Sequence, residues 1–184
     1  MIQAGRKYNI IYTGAMIESY NDNVTSPFEK MGSSDSYYLI SFGRELIQNG
    51  GELGFHGYNH QSLTMNKEIS ESFGYNAWSS TEDMKLAIEE LQHYADKAFP
   101  AYKFSSYVPP SNVLSEEGRK VLKEAWPDLF VIASLYAEDS TNRSYIQEFE
   151  IAEDNVIEMP RISSGYFKNE DYNWTMANAI TGLG

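Results

Sequence analysis

Two histidines stand four residues apart in "GGELGFHGYNHQSL", residues 50–63, directly after the short apolar run Glu52 to Phe55. Imidazole nitrogen ligates divalent ions such as zinc, and side chains at i and i+4 converge on one ion where the chain makes a single helical turn. His56 and His60 would then supply part of a metal centre. The bland alternative is a glycine-rich turn in which Gly54 and Gly57 provide positive φ and both imidazoles face solvent. The spacing alone does not separate the two. A third histidine, His93, falls in a helical stretch beside the apolar stripe, where a partly exposed structural residue is the ordinary outcome. A second chemistry is that of paired carboxylates in glycoside hydrolysis, with Glu52 and Glu158 as candidates. Glu52 opens its strand and so points away from the strand's carboxyl end.

The elements that must position these groups read as alternating strands and helices. "YNIIYT" (Tyr8 to Thr13) is predicted as a first strand. "SYYLISFGRELIQ" follows as a helix, with Ile40, Gly43, Leu46 and Ile47 at helical spacing, Asp35 or Ser36 at its start and Gly50–Gly51 at its end. "ELGF" is a second strand. From Ser80 to Ala98 an apolar stripe of Met84, Ala87, Ile88, Leu91, Tyr94, Ala95 and Ala98 gives the clearest helix, with Ser80 and Asp83 as a capping box. "KFSSYV" (Lys103 to Val108) is a third strand that stops at Pro109–Pro110. Ser115 caps a short helix carrying Val121, Leu122, Ala125 and Trp126, closed by Pro127. "LFVIASL" (Leu129 to Leu135) and "NVIEMP" (Asn155 to Pro160) complete five strands. Apolar runs alternating with helices predict an α/β fold, a parallel sheet or barrel with helices outside. In such folds ligands gather at the carboxyl ends of the strands, where His56 falls.

Composition narrows the partners. The 184 residues, 42% hydrophobic and 14% aromatic, suffice for one domain. The 26 acidic against 14 basic residues give a net charge of −12, which disfavours nucleic-acid phosphates and anionic membrane surfaces. The absence of cysteine excludes disulfides, thiolate metal sites and a cysteine nucleophile. No apolar stretch reaches membrane-spanning length. The beginning and end both read as interior sequence, so residues 1–184 are expected to be a single-domain internal fragment of a larger barrel.

"GGELGFHGYNHQSLT" resembles the second motif of the polysaccharide deacetylase superfamily, the NodB-type carbohydrate esterases, which reads Gly-His-Glu-Ile-Gly-x-His-[Ser/Thr]-x-x-His-x-x-Leu. The match spans Gly51, Glu52, Leu53, Gly54, His56, His60 and Leu63. "YVPPSN", Tyr107 to Asn112, is similar to the third motif, Phe-Arg-Pro-Pro-Tyr-Gly. The resemblance implies a partial (β/α) barrel of the NodB type and hydrolysis of N- or O-acetyl groups on a sugar polymer. It further implies a divalent metal, zinc with cobalt and nickel as alternatives, held by His56 and His60 and by an aspartate from outside this chain. An extracellular or cell-envelope location goes with it.

The departures are specific. The family's first motif, Thr-Phe-Asp-Asp-Gly, has no counterpart, and "YNIIYTGAMIE" looks like the second strand, so the first would lie upstream. Gly57 replaces a hydroxyl residue, Val108 an arginine and Ser111 a tyrosine. The late Leu-x-His motif is missing, since no histidine follows His93. The fragment alone is therefore expected to be inactive. Tyr58 and Asn59 either line a sugar subsite or shape the turn. Asn112 lies in a strand-end loop where family substrates are held, or is a turn asparagine. Arg161 follows the last strand and could replace the lost arginine; a surface arginine is the alternative. A non-catalytic carbohydrate-binding or scaffold module of the same fold is the second reading. The missing barrel strands would leave exposed sheet edges, a route to a homodimer.

Overall fold

The computed structural model describes residues 2–28, 33–133, 137–138, 143–144 and 147–160; for 33–36, 137–138 and 143–144 it describes the backbone alone. A short helix α1 (Ile2–Tyr8) ends where Asn9 turns through φ 53° and the Ile10 N–H bonds back to the Gly5 carbonyl at 2.9 Å. The first strand, β1, is Thr13–Met16. It is not the predicted run Tyr8 to Thr13: Ile10 and Ile11 are exposed, and the less strand-prone "TGAM" pairs with the sheet. Helix α2 (Ser33–Gln48) buries Leu46 and leads to β2 (Glu52–Phe55). Gly50, at φ 80°, ends α2: its N–H bonds Ile47 at 3.0 Å and that of Gly51 bonds Leu46 at 2.9 Å, so two orphan carbonyls are satisfied.

Beyond β2 come α3 (Lys67–Ser72), capped by Asn66, and α4 (Thr81–Ala98). The Ser80 hydroxyl accepts from the Asp83 N–H at 3.1 Å, the N-cap read from the sequence, and donates to the Asp83 carboxylate at 2.7 Å. That hydroxyl, followed by the Ser26 N–H, holds the Asp83 carboxyl below its ordinary value. The buried stripe of α4 is Met84, Ala87, Ile88, Leu91, Ala95 and Ala98. Each large member removed from water contributes roughly 1.5–3 kcal/mol.

Strand β3 is only Ser106–Tyr107, shorter than the predicted 103–108. Phe104, instead of extending it, stacks on Phe55 with centroids 4.4 Å apart. Helix α5 (Glu116–Ala125) is capped by Ser115, whose hydroxyl accepts from Gly118 at 2.8 Å and donates to Leu63 at 3.0 Å. Strand β4 (Val131–Ala133) follows, then the pair β5 (Ala137–Glu138) and β6 (Arg143–Ser144), then β7 (Glu150–Ile151) and β8 (Ile157–Met159).

The main sheet runs β1-β2-β3-β4-β8-β7. Its first five members are parallel, and β7 pairs antiparallel with β8. The fold is thus mixed α/β with a mostly parallel sheet that does not close among the described residues. The antiparallel edge, unforeseen in the sequence, arises because Asn155, at φ 62°, reverses the chain within a tight turn. Arg119 on α5 anchors this corner. It grips Asp154 with two bonds of 2.8 and 3.0 Å and bonds the buried Glu158, which Gln147 also contacts. No helix among the described residues is long and apolar enough to cross a membrane.

Candidate metal centre

The site lies where β1, β2 and β3 end. His56 is one residue past β2, and its backbone N–H bonds the Met16 carbonyl of β1 at 2.9 Å. Gly57 then turns at φ 76°, with Pro110 packed against it: a Cβ here would stand 2.6 Å from Pro110 Cγ and 3.0 Å from the Gln61 carbonyl. Only glycine fits, which accounts for the departure from the hydroxyl residue of the resembled motif. One tight helical turn follows, Tyr58–His60, in which Asn59 (φ 52°) and His60 (φ 57°) are both left-handed. Ser111 (φ 49°) and Asn112 (φ 60°) repeat this unusual pair in the loop after β3. Such conformations cost about 1–3 kcal/mol each in non-glycine residues and persist only where surrounding contacts impose them.

The turn brings the imidazoles together. Nε2 of His56 and Nε2 of His60 are 3.2 Å apart. His56 Nδ1 lies 2.6 Å from the Val108 carbonyl, which only accepts, so Nδ1 carries the proton and Nε2 of the neutral ring presents a lone pair. The Val108 backbone thus orients the histidine. On the other ring, His60 Nδ1 lies 3.1 Å from the Tyr75 hydroxyl, itself 2.6 Å from Ser111 Oγ. Burial, and then the neighbouring His56, push the His60 pKa down and favour its neutral form.

Two nitrogens each about 2.05 Å from one tetrahedral ion lie about 3.3 Å apart. The observed spacing fits that demand, and each Nδ1 has the oxygen partner that a ligating histidine commonly uses to fix its ring. Among the described residues no third Asp, Glu or His completes a cluster.

Beside the pair sits a buried polar group. Glu18, two residues past β1, is 3% exposed and accepts the Asn59 N–H at 2.7 Å. Its Oε2 and the Tyr107 hydroxyl are both buried without a hydrogen-bond partner among the described residues. Desolvation, opposed by the Asn59 N–H, pushes the Glu18 pKa up to about 8. Burial and the Glu18 charge push the Tyr107 hydroxyl up as well. Burial thus favours the neutral acid form of Glu18.

The other sequence-derived candidates fall in different places. Tyr58 is 2% exposed and packs edge-on against Phe28 at 4.8 Å, a core residue instead of a subsite wall. Asn59 is 1% exposed; its amide contacts Ser19 and Asn21 and bonds the Asn23 carbonyl at 3.1 Å, pinning the β1 loop over the turn. Asn112 is half-buried in the β3 loop, its N–H bonded to Pro109 at 2.9 Å. Arg161 lies outside the described residues. His93 is exposed on α4. Glu52 is exposed at the opening end of β2, while Glu158 lies three strands away in β8. Three steps of about 4.8 Å set their strands about 14 Å apart, beyond the 9.5 Å or so of a glycosidase pair, so Glu52 and Glu158 do not form one.

Sequence reasoning missed Glu18, Tyr20 and Tyr75, and met Ser111 only as a departure from the resembled motif. Tyr20 is 71% exposed with its ring 5.4 Å from that of His60, flanking the pair on the open side.

A mostly parallel α/β protein with a histidine pair at its strand ends is the class that fold and site define. Over residues 1–184 the chain matches the family described as uncharacterised protein conserved in bacteria (DUF2194), and it belongs to that family. No curated protein and no solved structure matches it.

Proposed function

We propose that this chain is part of a metal-dependent, carbohydrate deacetylase-like hydrolase acting on N- or O-acetyl groups of a sugar polymer, with His56 and His60 as two ligands of a divalent ion such as zinc. The convergence of the two Nε2 atoms, each ring anchored through Nδ1, carries the reading. The strand order supports the resembled barrel. Right-handed crossovers that step in one direction, β1 to β2 to β3 to β4, keep their helices on one face, as in a (β/α) barrel and unlike a doubly wound sheet.

When bound, the ion supplies Lewis acidity toward the acyl oxygen and a water acidified to about neutral pH. The chain's own residues orient the two imidazoles and offer Tyr20 as an exposed aromatic face for a sugar ring. A third ligand and the proton carriers belong to residues outside those described. The test is acetate release from acetylated oligosaccharides by the full-length protein with zinc, against the same protein with His56→Ala. Release that requires His56 and the metal supports the hydrolase.

A non-catalytic carbohydrate-binding module is the second reading, favoured by Val108 in the place of the motif arginine and by the lack of a third ligand among the described residues. Sugar binding that survives chelation without any acetate release would select it.

A further inference from the structure

Tyr75 and Ser111 come from two separate segments, and their hydroxyls form a chain that starts at His60: His60 Nδ1 to Tyr75 at 3.1 Å, Tyr75 to Ser111 at 2.6 Å. Tyr75 is held by its own N–H to the Ser70 carbonyl at 2.8 Å, just after α3, and its ring meets His60 edge-on at 5.6 Å. Both hydroxyls donate as readily as they accept, so the chain can run in either direction. Val108 leaves no such freedom at His56, since a carbonyl only accepts.

We infer that Tyr75 and Ser111 are a reversible hydrogen-bond relay that sets which nitrogen of His60 carries the proton, and that Tyr75 is a positioning residue for metal capture at the histidine pair. The inference rests on the metal-site reading above. Without metal, two bare Nε2 lone pairs at 3.2 Å would repel. His60 therefore keeps its proton on Nε2 and donates it to His56 Nε2, while Nδ1 accepts from Tyr75 and Tyr75 accepts from Ser111. With an ion on both Nε2 atoms, the His60 proton resides on Nδ1 and is donated to Tyr75, whose own proton turns to Ser111. The proton displaced from Nε2 passes to solvent water and Nδ1 takes one from solvent in exchange, so the ring stays neutral and each hydroxyl holds one proton before and after. A phenylalanine at 75 leaves the second arrangement with a half-buried N–H that has lost its acceptor, whereas the first loses only an acceptor's partner.

Long-range proton–nitrogen NMR of the imidazoles reads the tautomers directly. In chelator-treated wild-type protein His60 is expected as the Nε2–H form and His56 as the Nδ1–H form; with zinc added, both are expected as Nδ1–H. Tyr75→Phe should weaken zinc binding roughly 10- to 100-fold, with Ser111→Ala showing a smaller loss. A His60 already in the Nδ1–H form before zinc is added, or wild-type affinity in Tyr75→Phe, overturns the relay and leaves the metal site standing; an Nε2–H form that persists with zinc bound excludes ligation through His60 Nε2 and overturns both. Absence of zinc binding in the wild type overturns the metal reading and the relay with it.

Discussion

His56 and His60 face each other with Nε2 atoms 3.2 Å apart, although they are placed by opposite means. His56 is set by the regular end of β2, and His60 by a left-handed turn that glycine at 57 makes accessible. The site thus depends on the backbone of one loop.

Gly57→Ala is expected to destabilise the protein by about 1–3 kcal/mol and to separate the imidazoles. The new methyl meets Pro110, and φ 76° disfavours any L side chain. Gly57→Ser, which restores the hydroxyl of the resembled motif, should do the same. Urea melts measure the loss; a wild-type midpoint in both variants would contradict the packing described.

Glu18 predicts a pH signature. Its carboxyl titrates near 8 in the folded protein against an ordinary value of 4.5, because burial penalises the charge. Between those values the unfolded chain has released this proton and the folded chain has not, so stability falls as pH rises. The stability that wild type holds relative to Glu18→Gln should therefore decline by about 1 kcal/mol per unit from about pH 5 to about pH 8. Denaturant melts across that range measure it, and a flat difference would contradict a buried neutral acid.

Arg119→Ala should cost about 3 kcal/mol or more, since it strands Glu158, whose side chain is 2% exposed. Arg119→Lys keeps the charge but loses the two-pronged grip on Asp154, and an intermediate loss is expected. Thermal denaturation ranks the three proteins; equal stability of Arg119→Ala and wild type would show that the cluster contributes nothing.

Much of this was legible in the sequence, and the failures share one cause. The caps and stripes of α4 and α5 are local, so Ser80, Asp83 and Ser115 announce them. The strand "ELGF" and the position of His56 just beyond it are likewise local. Strand β1 is not. The β-branched Ile10 and Ile11 draw the reading five residues early, whereas "TGAM" earns its place through pairing with β2. With β1 misplaced, the strand-end position of Glu18 and the nearby Tyr20 went unnoticed. Tyr75 carries no comparable signal and Ser111 only its place in the resembled motif, because tertiary folding alone brings Tyr75, 15 positions on, to the His60 ring and Ser111, 51 positions on, to Tyr75. The burial of Tyr58 was equally out of reach, since Phe28 covers it from a distant loop.

If the facing imidazoles bind a divalent ion, isothermal titration of the protein with zinc, beside His56→Ala and His60→Ala, reads that binding. One zinc site per chain in the wild type, lost in both variants while their melting curves stay cooperative, is the expected result. No heat of binding in the wild type, or undiminished binding in either variant, would contradict it.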